Sequence, residues 1–437
     1  MTHAENNRAT HVRKGETDPI EKPDLTLGFM PLTDCAPLVV ALEQGYFAEQ
    51  GLHVTLAREV SWANIRDKVG AGLLDGAQML APMPMAASLP NQGAGVPMIT
   101  ALSLGLNGNT VGVSIGLHAA LSALELDSAA SSGARLAAMA RQRRDQGHPL
   151  RLGMVFPWST HNYLLRYWLA AHGLHPDRDL RLEVVPPPFM VEALATGDIE
   201  GYCVGEHWGS LAVERGVSVT LLADHGIWNH HPEKVFAVTE DWSERHPATH
   251  RALLVALLKA AEWLDQPNHR AAFAGVLARE EYVRVPVDII RQSLLGEPPL
   301  GRNLPTTRFE DFNIFFRHAA TFPWRSHALW FLTQMARWGQ IDAPIPLRPL
   351  AERVYRTDLY REAAAALGLA CPTMDEKEEG RYVAAHAFEA ATRPLTLGAD
   401  RFCDGRTFDP RRPIDYLAQC GPHSLRGDID AWRQVNR

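Results

Sequence analysis

A chain of 437 residues exceeds one ordinary hydrophobic core, so two or more lobes are expected. With 46% apolar residues, 21% charged residues and a formal net charge of −7, its balance is globular and excludes a nucleic-acid surface built on bulk positive charge. No apolar run approaches the roughly 18 residues that cross a bilayer, which excludes a hydrophobic helical span.

Residues 1–23 are polar and charged and read as a short disordered tail. The tail carries no apolar run of a secretory leader and no twin-arginine segment, so a cytoplasmic protein is expected. From Asp24 the pattern alternates. LTLGFM reads as a strand, and Ala36 to Gln50 as a helix stopped by Gly51. HVTLARE alternates like a strand, and Trp62 to Leu74 is a helix capped by Ser61. Short strands follow at Gly76–Leu80, Met98–Leu104 and Gly112–Ile115, then a long Ala/Arg-rich helix near Leu121–Gln146. Further strands are expected at Leu152–Phe156, Leu182–Val185, Ile199–Val204, Val217–Leu222 and Val235–Thr239, with mostly helix from there to Leu367. The alternation predicts an α/β architecture with largely parallel sheets.

Two such lobes joined by a chain that crosses and re-crosses make a hinged clamshell with a ligand cleft between them. The expected division is residues 24–111 and 225–341 for a discontinuous first lobe and 112–224 for the second. Residues 342–437 then form a mostly helical extension wrapping the outside.

Enzyme templates come up short: there is no GxSxG elbow, P-loop, HExxH or nucleotide fingerprint. Neither a catalytic residue nor a cofactor is therefore expected. Five cysteines without CxxC spacing suit reduced thiols better than a disulfide frame or zinc site. His230 and His231 are adjacent and point to different faces, a poor chelate pair, so no metal is expected either.

The segment from Met154 to Lys234 concentrates His, Glu, Trp and Lys where apolar runs end. Trp62 and His161 follow Ser and Ser-Thr at helix starts, Glu206 follows an apolar strand and Lys234 precedes one. Helix N–H groups, an imidazole, an indole N–H and an ammonium would together suit a small anion. Each residue has a plainer reading as well. Trp62 could be packing, His161 a satisfied core histidine, Lys234 a solvated charge, and Glu206 an ion-pair partner of an Arg holding its lobe together. Only six of 43 basic residues are Lys, which makes an ordered Lys informative.

The motifs SWANIRD, DGAQMLAPMPM, LNGN, FPWSTHNYLLRYWLAAHGL, VVPPPFMV, YCVGEHW, IWNHHPEK, FPWRSHALWFLTQMARWG and FCDGRTFDP resemble, in one order, the nitrate-binding proteins of bacterial ABC transporters. The resemblance runs from about Asp24 to Leu417. It implies a type II periplasmic-binding-protein-like clamshell and places anion contacts on Trp62, His161 and Lys234, with further contacts at Asn109 or Thr110 and support from Thr160 and Glu206. At 109 the family's nitrate binders carry Gln, and the shorter Asn puts that contact in question. Bicarbonate-binding relatives place an acidic residue and a calcium ion where this chain has Lys234, so a metal-free nitrate or nitrite site is expected. Thiamine-pyrimidine enzymes share the fold, but their Cys-rich motif is not visible here. With no export signal, the chain is most similar to the family's cytosolic NasS-type sensors, whose implied partner is an RNA-binding antiterminator of the NasT type released by nitrate or nitrite; direct contact with nucleic acid or membrane is not expected. The alternative is the substrate-binding component of an ABC transporter.

Overall fold

The computed structural model describes residues 19–90, 95–121, 129–302, 304 and 307–437. The predicted tail up to residue 18, and residues 122–128 of the predicted long helix, lie outside the described residues. Residues 19–23 belong to the fold rather than to a tail. The Glu21 carboxylate accepts from Ala248 N (2.9 Å) and Thr249 N (2.8 Å) at the start of helix Pro247–Leu264, where free N–H groups favour an anion.

In chain order come strands β1 (Asp24–Phe29), β2 (His53–Arg58), β3 (Gly76–Leu80), β4 (Met98–Ser103), the short β5 (Leu106–Asn107) and β6 (Asn109–Ser114). They are followed by β7 (Arg151–Met154), β8 (Arg181–Val184), β9 (Gly201–Gly205), β10 (Ser218–Ala223) and β11 (Lys234–Thr239). The last are β12 (Asn313–Ile314), β13 (His386–Phe388) and β14 (Leu395–Leu397).

One sheet has the order β2-β1-β3-β11-β4, the other β10-β6-β9-β7-β8. The expectation of largely parallel sheets needs correction. β1 pairs in parallel with β2 and β3, and β7 with β8 and β9, but β11 and β6 run antiparallel to both their neighbours. These are the strands that follow the two crossings, so each enters its sheet from the opposite end. The first crossing also lies earlier than expected: β6 belongs wholly to the second sheet, so a boundary at 111/112 would cut a strand.

Local chemistry explains the elements. Ser61 Oγ accepts from Asn64 N (3.2 Å) and Ser159 Oγ from Asn162 N (3.0 Å), capping the helices Trp62–Gly70 and Thr160–Ala171. The helix expected over Ala36–Gln50 breaks at Gly45, whose φ of 77° an ordinary helix cannot continue. Helix Arg325–Arg337 buries every residue after its first, and it packs against helices Leu347–Val354 and Pro413–Gln419 of the C-terminal extension. Each buried Leu or Phe there contributes about 1.5–3 kcal/mol. The extension reaches both lobes: helix Thr357–Ala366 lies on Pro247–Leu264, and Asp404 accepts from Tyr167 OH at 2.8 Å. Among the described residues, no helix is long and apolar enough to cross a membrane.

Candidate functional site

The parallel strands of both sheets point their carboxyl ends at the crevice between the lobes, the usual ligand position in open α/β sheets. The antiparallel strands bring their first residues to the same place. Lys234 opens β11 opposite Leu80, the last residue of β3, and Asn109 opens β6 opposite Gly205, the last residue of β9. The crevice is closed. Thr33 N donates to Glu206 O (2.9 Å), Trp208 Nε1 to Pro31 O (3.2 Å) and Thr160 Oγ1 to Pro232 O (3.1 Å), all between lobes.

Three sequence-predicted residues meet there. Lys234, 1% exposed, sets its ammonium 5.5 Å from the centre of the Trp62 ring. The same ammonium lies 2.7 Å from Asp34 Oδ2 and contacts the Glu233 carboxylate. His161, fully buried, has Nδ1 3.5 Å from Glu233 Oε1, too poorly aligned to count as a hydrogen bond. Both His161 nitrogens, Trp62 Nε1 and Asn109 Oδ1 are buried without a hydrogen-bond partner. A buried polar group left unpaired costs about 1–3 kcal/mol, so several in one place mark where something polar belongs. Gly205 keeps that place open. A Cβ on it would stand 3.2 Å from Asn109 Oδ1 and 3.4 Å from His161 Nε2.

The other predicted contacts are used differently. Asn109 turns its amide group away from the opening: Nδ2 donates to Asp224 Oδ2 (2.6 Å) and Glu233 Oε2 (2.8 Å), which leaves an acceptor facing inward. Thr110 Oγ1 donates to Glu206 Oε1 (2.9 Å), so its proton is committed as well. Thr160 bridges the lobes through Pro232. Among the described residues Glu206 pairs with no Arg; it accepts from Thr110 and from Ser210 N (3.1 Å) and Ser210 Oγ, and burial raises its pKa.

Sequence reasoning missed Asp34, Asp224, His231 and Glu233. Asp34 lies in the run GFMPLTDCAPLVV and Asp224 just before IWNHHPEK, but nothing local marks the use of either, and only folding brings them together. Glu233 and His231 sat within IWNHHPEK, and the alternation Glu-Lys before a buried strand was the available signal. Burial opposes protonation of His231, but Asp224, 2.9 Å away, outweighs it and raises the imidazole's pKa. Burial lowers His161 to about 4, so its imidazole is neutral at pH 7. Burial disfavours an ionised Glu233 too, yet His161, Lys234 and His231 hold it down at about 2. At Asp34 burial prevails over Lys234 and the pKa is raised. The Lys234 ammonium thus lies against two carboxyl groups, of which Glu233 is the one held ionised.

Residues 18–278 match the NMT1-like family. The chain belongs to that family. It is 40% identical over 92% of its length to the nitrate import ATP-binding protein NrtC of Synechocystis sp., and 38% identical over 92% to the bicarbonate transport ATP-binding protein CmpC of the same organism. It spans only 56% of the length of each of these two relatives. Against the crystal structure of the periplasmic nitrate-binding protein NrtA from Synechocystis PCC 6803, the TM-score is 0.81 at 30% identity, covering 92% of this chain and all of that one. The two-lobed periplasmic-binding-protein-like fold is thus shared along the whole of NrtA.

Proposed function

We propose that this protein binds nitrate or nitrite between its lobes, as a binding protein of ABC-transporter type. The observation that carries the reading is the convergence of unpartnered Trp62 Nε1 and His161 nitrogens beside a buried Lys234, with Gly205 leaving the space. An indole N–H and a protonated imidazole donate to the oxygens of a planar monoanion, and the ammonium supplies charge in a site where water does not screen it. Lys234 favours a monoanion over a metal-assisted ligand, since a cation is built into the chain.

The site does not supply this positive charge for free. With Asp34 and Glu233 both against Lys234, an arriving anion is best accommodated when a proton joins it, on His161. Anion binding and proton uptake are then linked, and each strengthens the other.

The likeness to NrtA over that protein's full length supports the role of a transporter's substrate-binding component. The finer alternative is a cytoplasmic sensor in which the anion-closed form releases an RNA-binding antiterminator; its support is the resemblance to that branch of the family. Calorimetric titration of nitrate, nitrite and bicarbonate into the wild type and Lys234→Ala tests the shared core of both. Tight binding of bicarbonate alone, or indifference to the substitution, would overturn it. Fractionation of the native protein, with nitrate added to any antiterminator complex recovered, separates the two roles: a complex unchanged in saturating nitrate and nitrite removes the sensor.

A further inference from the structure

His230 and His231 part company in the fold. His231 turns to Asp224, whereas His230 turns outward to Asp311 and His318, which arrive from the segment just before β12 and from the short turn at Arg317–Ala319. We propose that His230, Asp311 and His318 form a binding site for a divalent transition-metal ion of the zinc class. The site is separate from the anion crevice and does not rest on the reading given for it.

Three features carry the inference. The first is donor orientation. His230 Nδ1 contacts Ala399 O, and His318 Nδ1 lies 3.0 Å from Thr396 O. A carbonyl only accepts, so each Nδ1 bears the hydrogen and each Nε2 keeps a lone pair. Metal-binding imidazoles are oriented in this way by a carbonyl behind them. The second is an unfilled donor. His230 is only 9% exposed, and its Nε2 has no hydrogen-bond partner although Asp311 Oδ2 is 3.2 Å away, because the contact is misaligned. Two donors about 2.0–2.2 Å from one tetrahedral ion stand roughly 3.3 Å apart and off each other's axis, which is the observed relation. The third is convergence. One donor atom from each of the three residues lies within 4.8 Å of the others, and the imidazole centres are 5.2 Å apart. A side-chain shift of about an ångström closes the set, with water free to complete four ligands.

The surroundings fit this use. Arg317 Nη2 donates to Asp311 Oδ1 at 2.8 Å and leaves Oδ2 for the ion. Gly398 is a glycine because a Cβ there would stand 2.1 Å from His230 Cε1. Two imidazoles and one carboxylate suit zinc and its neighbours better than calcium or magnesium, which prefer oxygen alone. A bound ion would join the loop leading to Glu233 and Lys234, the Asp311–His318 segment and, through the carbonyls, the strand β14 region of the extension.

The test uses the full chain, stripped with chelator and titrated with zinc chloride against a competing chromophoric chelator. It is compared with His318→Gln and Asp311→Asn, both at partly exposed positions where folding is least at risk. The wild type is expected to bind about one equivalent and to unfold at higher temperature with zinc. Each variant is expected to lose roughly tenfold to a hundredfold in zinc affinity and to lose the thermal shift, with an unchanged circular dichroism spectrum. Absence of stoichiometric binding in the wild type would overturn the proposal. So would equal affinity in wild type and both variants, which is the result expected if zinc instead enters the buried Asp224, His231 and Glu233 group. Nitrate titration of the same samples reports on the crevice independently.

Discussion

Two lysines of this chain stand between two carboxylates, Lys234 buried and Lys377 partly so, and they differ in what surrounds them. Lys234 stands between Asp34 and Glu233, and Lys377 between Glu379 and Asp400, where the ammonium is 2.7 Å from Asp400 Oδ2. Around Lys377 the carboxylates are saturated. Ser326 Oγ donates to Glu379 Oε1 (2.6 Å), Trp228 Nε1 to Asp400 Oδ1 (2.8 Å) and Gly380 N to the same oxygen (2.9 Å). His327 Nε2, 3.5 Å from Glu379, and both nitrogens of His386 in the same small cavity are left without a hydrogen bond. Around Lys234, by contrast, an indole N–H, both nitrogens of an imidazole and an amide oxygen are unfilled at once. Charge composition does not distinguish the two lysines. The kind of group left unfilled does: imidazoles beside Lys377, but an indole N–H and an amide oxygen as well as an imidazole beside Lys234.

The contrast breaks first at Lys377. Lys377→Met leaves the buried Glu379 and Asp400 carboxylates without their cation and is expected to destabilise the fold by about 3–5 kcal/mol in urea unfolding, with nitrate affinity unchanged where the fold persists. A stable variant that no longer binds nitrate would reverse the two roles. At the other lysine, Lys234→Ala should weaken nitrate binding by about 2–5 kcal/mol, read by calorimetry, since the anion then faces Asp34 and Glu233 unrelieved.

His161→Gln sharpens the comparison at the next level down. Losing a charge-assisted donor is expected to cost about 1.5–3 kcal/mol of anion affinity. The same variant removes a pH dependence. On the proposed reading, in which a proton joins the anion on His161, nitrate affinity should rise as pH falls from 8 toward 5, and the slope should flatten in His161→Gln. For folding without anion the sign is opposite. His161 is held down at about 4, so the unfolded chain binds more protons between its ordinary value of 6.5 and 4; the group's stabilising contribution is present above 6.5 and lost as pH falls through that window. Urea midpoints across those pH values, in wild type and His161→Gln, check this. The smallest effect is expected at Thr110→Val, which removes one buried hydrogen bond to Glu206: about 1 kcal/mol of stability, and no change in nitrate affinity. A large affinity loss there would restore Thr110 as an anion contact.

Much of the architecture was legible because it follows from local chemistry. Strand positions came from apolar alternation, and the starts of Trp62–Gly70 and Thr160–Ala171 from Ser caps that act within one turn. Strand direction was not legible, because alternation reads the same for a strand entered from either end. The first crossing was misplaced for a related reason: Asn107-Gly108-Asn109-Thr110 reads as a turn rather than the start of β6, and only pairing shows that Asn109 and Thr110 already belong to the second sheet.

For the proposed site, the sequence by itself pointed to three groups that the fold brings together, Trp62, His161 and Lys234, since their types and their places at element ends are local properties. Only the tertiary structure decided how each is used. Asn109 and Thr110 carry groups suited to an anion, yet their donors are taken by Asp224, Glu233 and Glu206. Asp34 carries no local signal of its use and Glu233 only its place beside Lys234 in IWNHHPEK, and the fold sets both against the charge of Lys234. The physical reason is that a hydrogen-bonding group has limited capacity, and whether a partner fills it depends on residues far away in sequence. His230 shows the same limit: its neighbour made it look a poor ligand, and the fold gave it Asp311 and His318 instead.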